Sequence, residues 1–154
     1  MCAVVLSNYG EEFGSVTEIF NSFQQFVKAH ETAVFTFCFR MLGNNKLAEN
    51  TAARAFRDEY THFPHISLLT VLAAASHHCR RQLHHDYPPT NTAVNDIQHI
   101  FAQLTIPERE VMALRYACKL DFSEIASVLN SSSETVRVTL RQGRWHVATI
   151  KGDL

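Results

Sequence analysis

At 154 residues with a formal net charge of −1, the chain can bury one good core or two small helical ones of about 70 residues each, and it carries no overall field that would draw nucleic acid to it. Hydrophobic residues make up 46%, with only five Gly and four Pro, a composition that argues against a turn-rich β fold and predicts an all-α protein. No apolar run approaches the roughly 20 residues that cross a bilayer, and the first ten residues lack the basic start of a secretory signal, so no membrane association and a cytoplasmic location are expected.

Residues 1–14 show no clear period and are read as an N-terminal arm. Ser15 and Glu18 have the spacing of a capping box, followed by Ile19, Phe20, Phe23, Phe26 and Val27 at helical spacing to about residue 28. From about residue 31 to 42 a more uniformly apolar segment, centred on Val34, Phe35, Phe37, Cys38 and Met41, predicts a central helix closed by Gly43. Asn45 is the expected cap of a third helix over residues 46–60, with Ala48, Ala52, Ala55, Phe56 and Tyr60 inward and Pro64 beyond its end. A fourth helix over residues 67–85 turns Leu68, Leu69, Leu72, Ala75, Cys79 and Leu83 inward. Its end carries His77, His78, Arg80, Arg81, His84 and His85, read as a basic helix terminus that favours the dipole. A metal site is not expected there, because three and four residues beyond His77 stand Arg80 and Arg81 rather than ligands.

The stretch DYPPTNTAV, residues 86–94, reads as a linker. It divides the chain into an N-terminal four-helix domain, 15–85, and a C-terminal domain, 95–154. The second opens on Asn95 or Asp96 as cap, with Ile97, Ile100, Phe101 and Leu104 on one face. Thr105 and Glu108 form another capping box with Pro107 in the first turn, and Val111, Met112, Leu114 and Tyr116 carry that helix to about residue 117.

Residues 120–147 have the pattern of a helix-turn-helix. Asp121 and Glu124 cap a short helix whose stripe is Phe122, Ile125, Ala126 and Leu129, and Asn130 can take the left-handed conformation that ends it. Ser131 with Glu134 is the expected cap of a second helix, packed inward through Val136, Leu140, Gly143 and Val147. Arg137, Arg141 and Arg144 line a neighbouring stripe that carries positive charge toward solvent. Trp145 is expected to pack against the domain's first helix. The four cysteines are widely spaced, and no disulfide is expected. No nucleophile–base set, phosphate-binding glycine loop or carboxylate pair can be assembled, so neither an enzyme nor a cofactor is expected.

The run LTIPEREVMALRYACKLDFSEIASVLNSSSETVRVTLRQGRWHV resembles the upstream-promoter-binding domain of bacterial sigma-70 family factors, in particular the extracytoplasmic-function class. The resemblance rests on Leu104–Arg109, Leu114-Arg115-Tyr116, Glu124-Ile125-Ala126 and Thr135-Val136-Arg137. The N-terminal half is similar to the promoter-melting domain of the same class, through its phenylalanine-rich first helix, Arg40-Met41-Leu42-Gly43-Asn44, Ala48-Glu49 and Ala55-Phe56. The resemblance implies a transcription initiation protein that binds promoter DNA and associates with RNA polymerase, with an anti-sigma protein or a second copy as further partner. It implies that Ser132, Ser133, Glu134, Arg137, Val138 and Arg141 face the bases. Arg137 or Arg141 could read a guanine edge, Glu134 a cytosine amine and Val138 a thymine methyl. Arg115, Lys119 and Arg144 would hold phosphates.

Polymerase docking would fall on Glu49, Asn50, Ala53 and Arg54. Of these, Asn50, Ala53 and Arg54 stand where the family usually has an aspartate, a glutamine and a glutamate. The family's tryptophan, asparagine and arginine in the fourth helix are likewise replaced in LLTVLAAAS by apolar or small residues. Two further readings accompany these departures: a divergent DNA-binding regulator without polymerase docking, and a protein-interaction module that sequesters another transcription factor.

Overall fold

A computed structural model gives the architecture, describing the backbone of residues 2–83 and 96–152 and the side chains of residues 16–83 and 97–152. Among the described residues it is all-α, with seven helices and no strand: α1 (Cys2–Leu42), α2 (Asn45–Tyr60), α3 (Leu68–Leu83), α4 (Asp96–Gln103), α5 (Ile106–Tyr116), α6 (Phe122–Leu129) and α7 (Ser133–Lys151). None of them is long and apolar enough to cross a membrane.

The first two expected helices are one. The helix α1 runs for 41 residues, about 60 Å, so the expected arm belongs to it and Ser15 lies in its interior instead of at a cap. Nothing in Ala29-His30-Glu31 breaks a helix. The inward positions Phe23, Phe26, Val27, Val34, Phe37, Cys38 and Met41 continue one stripe across that point. The N-terminal group therefore has three helices, not four. Two expected caps also move by one residue. Asn44, not Asn45, accepts from the Leu47 N–H at 2.9 Å, and Ser132, not Ser131, accepts from the Thr135 N–H at 3.1 Å. The expected linker, with His84 and His85, lies outside the described residues.

The helices α1, α2 and α3 pack on one another around Val34, Phe37, Cys38, Met41, Ala48, Ala55, Val71, Leu72, Ala75 and Cys79, all fully buried. The C-terminal group packs α7 on α5 and α6, and then lies against the first group through α5 on α1 and α6 on α3. This contact is polar as well as apolar. The last carbonyls of α1 have no helical partner, and the C-terminal group supplies donors. Arg109 Nη1 donates to the Met41 carbonyl at 2.8 Å, and Gln98 Nε2 to the Arg40 carbonyl at 3.2 Å. The Cys118 thiol donates to the Ala33 carbonyl at 3.6 Å.

Deeper in the contact sits Glu110, its side chain fully buried. Its carboxylate accepts from Arg80 Nε at 2.6 Å, from Arg80 Nη2 at 2.5 Å and from Ser76 Oγ at 2.5 Å. The hydrogen bonds to Glu110 raise the Arg80 guanidinium further above its already high range. The basic helix end read from the sequence is thus partly occupied. Arg80 serves Glu110, and His78 is buried, 2.6 Å from the Asp58 carboxylate.

Candidate nucleic-acid interface

Two capped turns position the exposed face of α7. Asp121 accepts from the Glu124 N–H at 2.8 Å while the Glu124 carboxylate accepts from the Asp121 N–H at 2.8 Å, which fixes the start of α6. Asn130, at φ 48° and ψ 53°, ends α6 in the left-handed conformation. Ser132 then starts α7, whose inner stripe Val136, Leu140 and Gly143 is buried on α5 and α6. A Cβ at Gly143 would come within 3.2 Å of Met112 Cγ and 3.5 Å of Glu108 Cβ, so the closeness of α5 and α7 depends on that glycine.

With Val136, Leu140 and Gly143 turned inward, Glu134, Arg137, Arg141 and Arg144 are exposed. Ser132 is exposed, its hydroxyl taken by the cap; Ser133 and Val138 are half-buried beside the arginines. Lys119 is exposed in the turn between α5 and α6 at φ 62°, a conformation unusual for a residue with a Cβ.

The three family-derived phosphate contacts and the base-facing arginines differ in how they are held. Arg115 Nη1 donates to the Leu120 carbonyl at 2.8 Å, and its guanidinium lies 5.1 Å from the centroid of the Phe122 ring. Arg137 approaches the same ring at 5.2 Å. Arg144 lies 5.6 Å from the Tyr116 ring and donates Nε to the Tyr116 hydroxyl at 2.6 Å. Three of the five basic groups of this face, Arg115, Arg137 and Arg144, are therefore seated on aromatic rings. Sequence reasoning placed Phe122 and Tyr116 in apolar stripes and missed that their rings also carry the arginines. Trp145 is a correction: it is 58% exposed, beside His146 on the outer side of α7, and does not pack against α4.

Behind this face, Glu108 ties α5 to α7. Its carboxylate accepts from the Thr105 N–H at 3.1 Å and lies 2.7 Å from His146 Nδ1. Burial pushes the carboxyl up, but the hydrogen bonds from His146 and Thr105 outweigh it and leave Glu108 below the usual glutamate range.

On α2, Glu49, Asn50, Ala53 and Arg54 are all exposed on one side of the helix. Glu49 pairs with Lys46 at 3.7 Å. Glu49 and Ala53 border a groove of about 410 Å³ between α1 and α2, floored by Phe35, Ala52 and Phe56.

The family described as "Sigma-70, region 4" matches residues 95–147. The C-terminal helical group is a region 4 domain of the sigma-70 family. In this region 4, α6 and α7 supply the helix-turn-helix, and the seated arginines lie on α5 and α7 beside it. No curated protein matches the chain. A solved structure described as the sigma factor RpoE in complex with the anti-sigma factor NepR, from Bartonella quintana, superposes with a TM-score of 0.71. It covers 85% of this chain and 97% of that one at 10% identity. That likeness shows a shared fold, one that includes the N-terminal helices as well as region 4.

Proposed function

We propose that the protein is a sigma-factor-like transcription initiation protein of the extracytoplasmic-function class, acting in the cytoplasm, which binds promoter DNA through region 4 and associates with RNA polymerase. The observation that carries this reading is the arginine stripe of α7, exposed beyond the left-handed turn at Asn130 within a matched region 4 domain. Ser132, Ser133, Glu134, Arg137, Val138 and Arg141 are assigned to base edges and Arg115, Lys119 and Arg144 to phosphates. Residues 15–85 and 95–154 are the two proposed domains, with 86–94 between them. A few phosphate contacts on a near-neutral chain give weak binding at physiological salt, so polymerase supplies the remaining hold, through the α2 face of Glu49, Asn50, Ala53 and Arg54. An anti-sigma protein is a further proposed partner, by analogy with the complex of the structural relative.

Arg54, exposed where the family usually has an acidic residue, favours a second reading: a sigma-like regulator that binds DNA without docking on polymerase. Co-purification with core polymerase followed by run-off transcription separates the two. A chain that binds duplex DNA yet never holds polymerase would establish the second and remove the first. Within region 4, Arg137→Ala should lower discrimination by about 1 to 3 kcal/mol, whereas Arg144→Ala should weaken binding to all sequences and reduce the salt slope by about one.

A further inference from the structure

Two arginines of region 4 share one aromatic ring, and they are held to different degrees. Phe122 is the first residue of α6, so the reciprocal Asp121–Glu124 cap fixes its backbone, and its half-buried ring packs on the core. Arg115 is tied to the Leu120 carbonyl and lies over that ring. Arg137 lies over it too, yet among the described residues it makes no hydrogen bond or ion pair. Its guanidinium is thus held against a fixed surface while all five N–H donors stay available. Arg144 has committed Nε to the Tyr116 hydroxyl. Arg141 is exposed and, among the described residues, lies over no ring, so it must give up side-chain freedom on binding that Arg137 has partly given up already.

We propose that Phe122 is the positioning residue for sequence reading by region 4: its ring pre-sets the Arg137 guanidinium, which makes Arg137, rather than Arg141, the arginine that reads a guanine edge. This rests on the DNA-binding reading above and adds to it the residue that confers discrimination without itself touching a base. A bidentate contact to guanine O6 and N7 needs the guanidinium plane aligned with the base pair, and an arginine stacked on an aromatic face keeps its edge free for that purpose. The ring is flat and carries a negative π face, two properties leucine lacks at similar burial.

The test uses the full chain and a random duplex pool at low salt. Duplexes enriched by the unchanged protein provide a specific probe, and a scrambled duplex of the same length provides the non-specific one. Phe122→Leu should weaken binding to the enriched duplex by about 2- to 5-fold, the range of an exposed cation–π contact, and weaken the scrambled duplex less, because Arg115 keeps its tie to the Leu120 carbonyl when the ring is lost. A second enrichment with Phe122→Leu should lose its preference at one guanine position, the same position lost by Arg137→Ala. Phe122→Tyr, which keeps the ring, should restore both, and Arg137→Ala should cost less discrimination in the Phe122→Leu background than in the unchanged chain. Equal losses on both duplexes, or a Phe122→Leu chain whose enriched sequence is unaltered, would overturn the positioning role while leaving DNA binding intact. A chain that enriches no duplex at all would overturn the DNA reading and this proposal with it.

Discussion

Glu110 on α5 and Arg80 on α3 form a two-point ion pair across the contact between the two helical groups, with the carboxylate fully buried and the guanidinium side chain about half exposed. This asymmetry sets the sign of a simple comparison. Arg80→Ala strands a buried carboxylate with only Ser76 to serve it and should cost about 3 kcal/mol. Glu110→Gln leaves an arginine that water can still reach and should cost less, about 1 to 2 kcal/mol. Replacing both, as Arg80→Met with Glu110→Leu, should recover most of the loss. Urea unfolding of the four proteins, read as midpoints at constant slope, checks the order.

Cys118 reports on the same contact. Burial, with the nearby Cys38 adding to it, pushes its thiol up to about 12, so only about one molecule in ten thousand carries the thiolate at pH 8. Iodoacetamide should therefore modify Cys118 far more slowly than a free thiol. Because the thiol donates to Ala33 across the contact, Arg80→Ala should accelerate that modification well below the denaturant concentration that unfolds the chain. Peptide mapping after timed alkylation gives the rate, and a rate indifferent to Arg80 would show that Cys118 is sheltered by region 4 alone.

Glu108 gives a pH dependence with a defined sign. Its folded carboxyl lies below the usual value near 4.3. Its contribution to stability is therefore complete above that value and is lost as pH falls through the lower, folded one. The unfolding midpoint should drop more steeply below about pH 4.5 in the unchanged protein than in Glu108→Gln. Parallel curves in this acid range would mean that the bonds to His146 and Thr105 do not favour the charged form.

Lys119 separates stability from binding. Its φ of 62° costs a residue with a Cβ about 1 kcal/mol that glycine avoids. Lys119→Gly should thus raise or hold the melting temperature while lowering DNA affinity at every sequence and the salt slope by about one. A single substitution moving the two measurements in opposite directions would be hard to ascribe to misfolding.

The helix-turn-helix was legible because its signals are local. Asp121 with Glu124, Asn130 and the spacing of Val136, Leu140 and Gly143 act within a few residues, and the structure places them as the pattern implies. The central helix was legible for a similar reason: Val34, Phe37, Cys38 and Met41 are buried on the stripe their spacing defines. What the sequence concealed depends on partners far along the chain. The fusion of two helices into α1 left no mark, because the absence of a breaker at Ala29-His30-Glu31 is a weak signal beside the capping pattern at Ser15. No local signal marked Glu110 as buried, because its partner stands thirty positions earlier. Asp58 and His78 concealed each other in the same way.

The contact between the groups also has a kinetic meaning that follows from chain length. Residues 84–95 join α3 to α4, and at full extension such a segment reaches about 40 Å. If the groups part, each stays within that radius of the other, at an effective concentration on the order of millimolar. Any protein or nucleic acid that uses the surface between α1, α3 and α5 must outcompete a partner that never diffuses away. A modest weakening at Arg80 would then lower the threshold concentration of every such competitor by the same factor, whatever its own affinity.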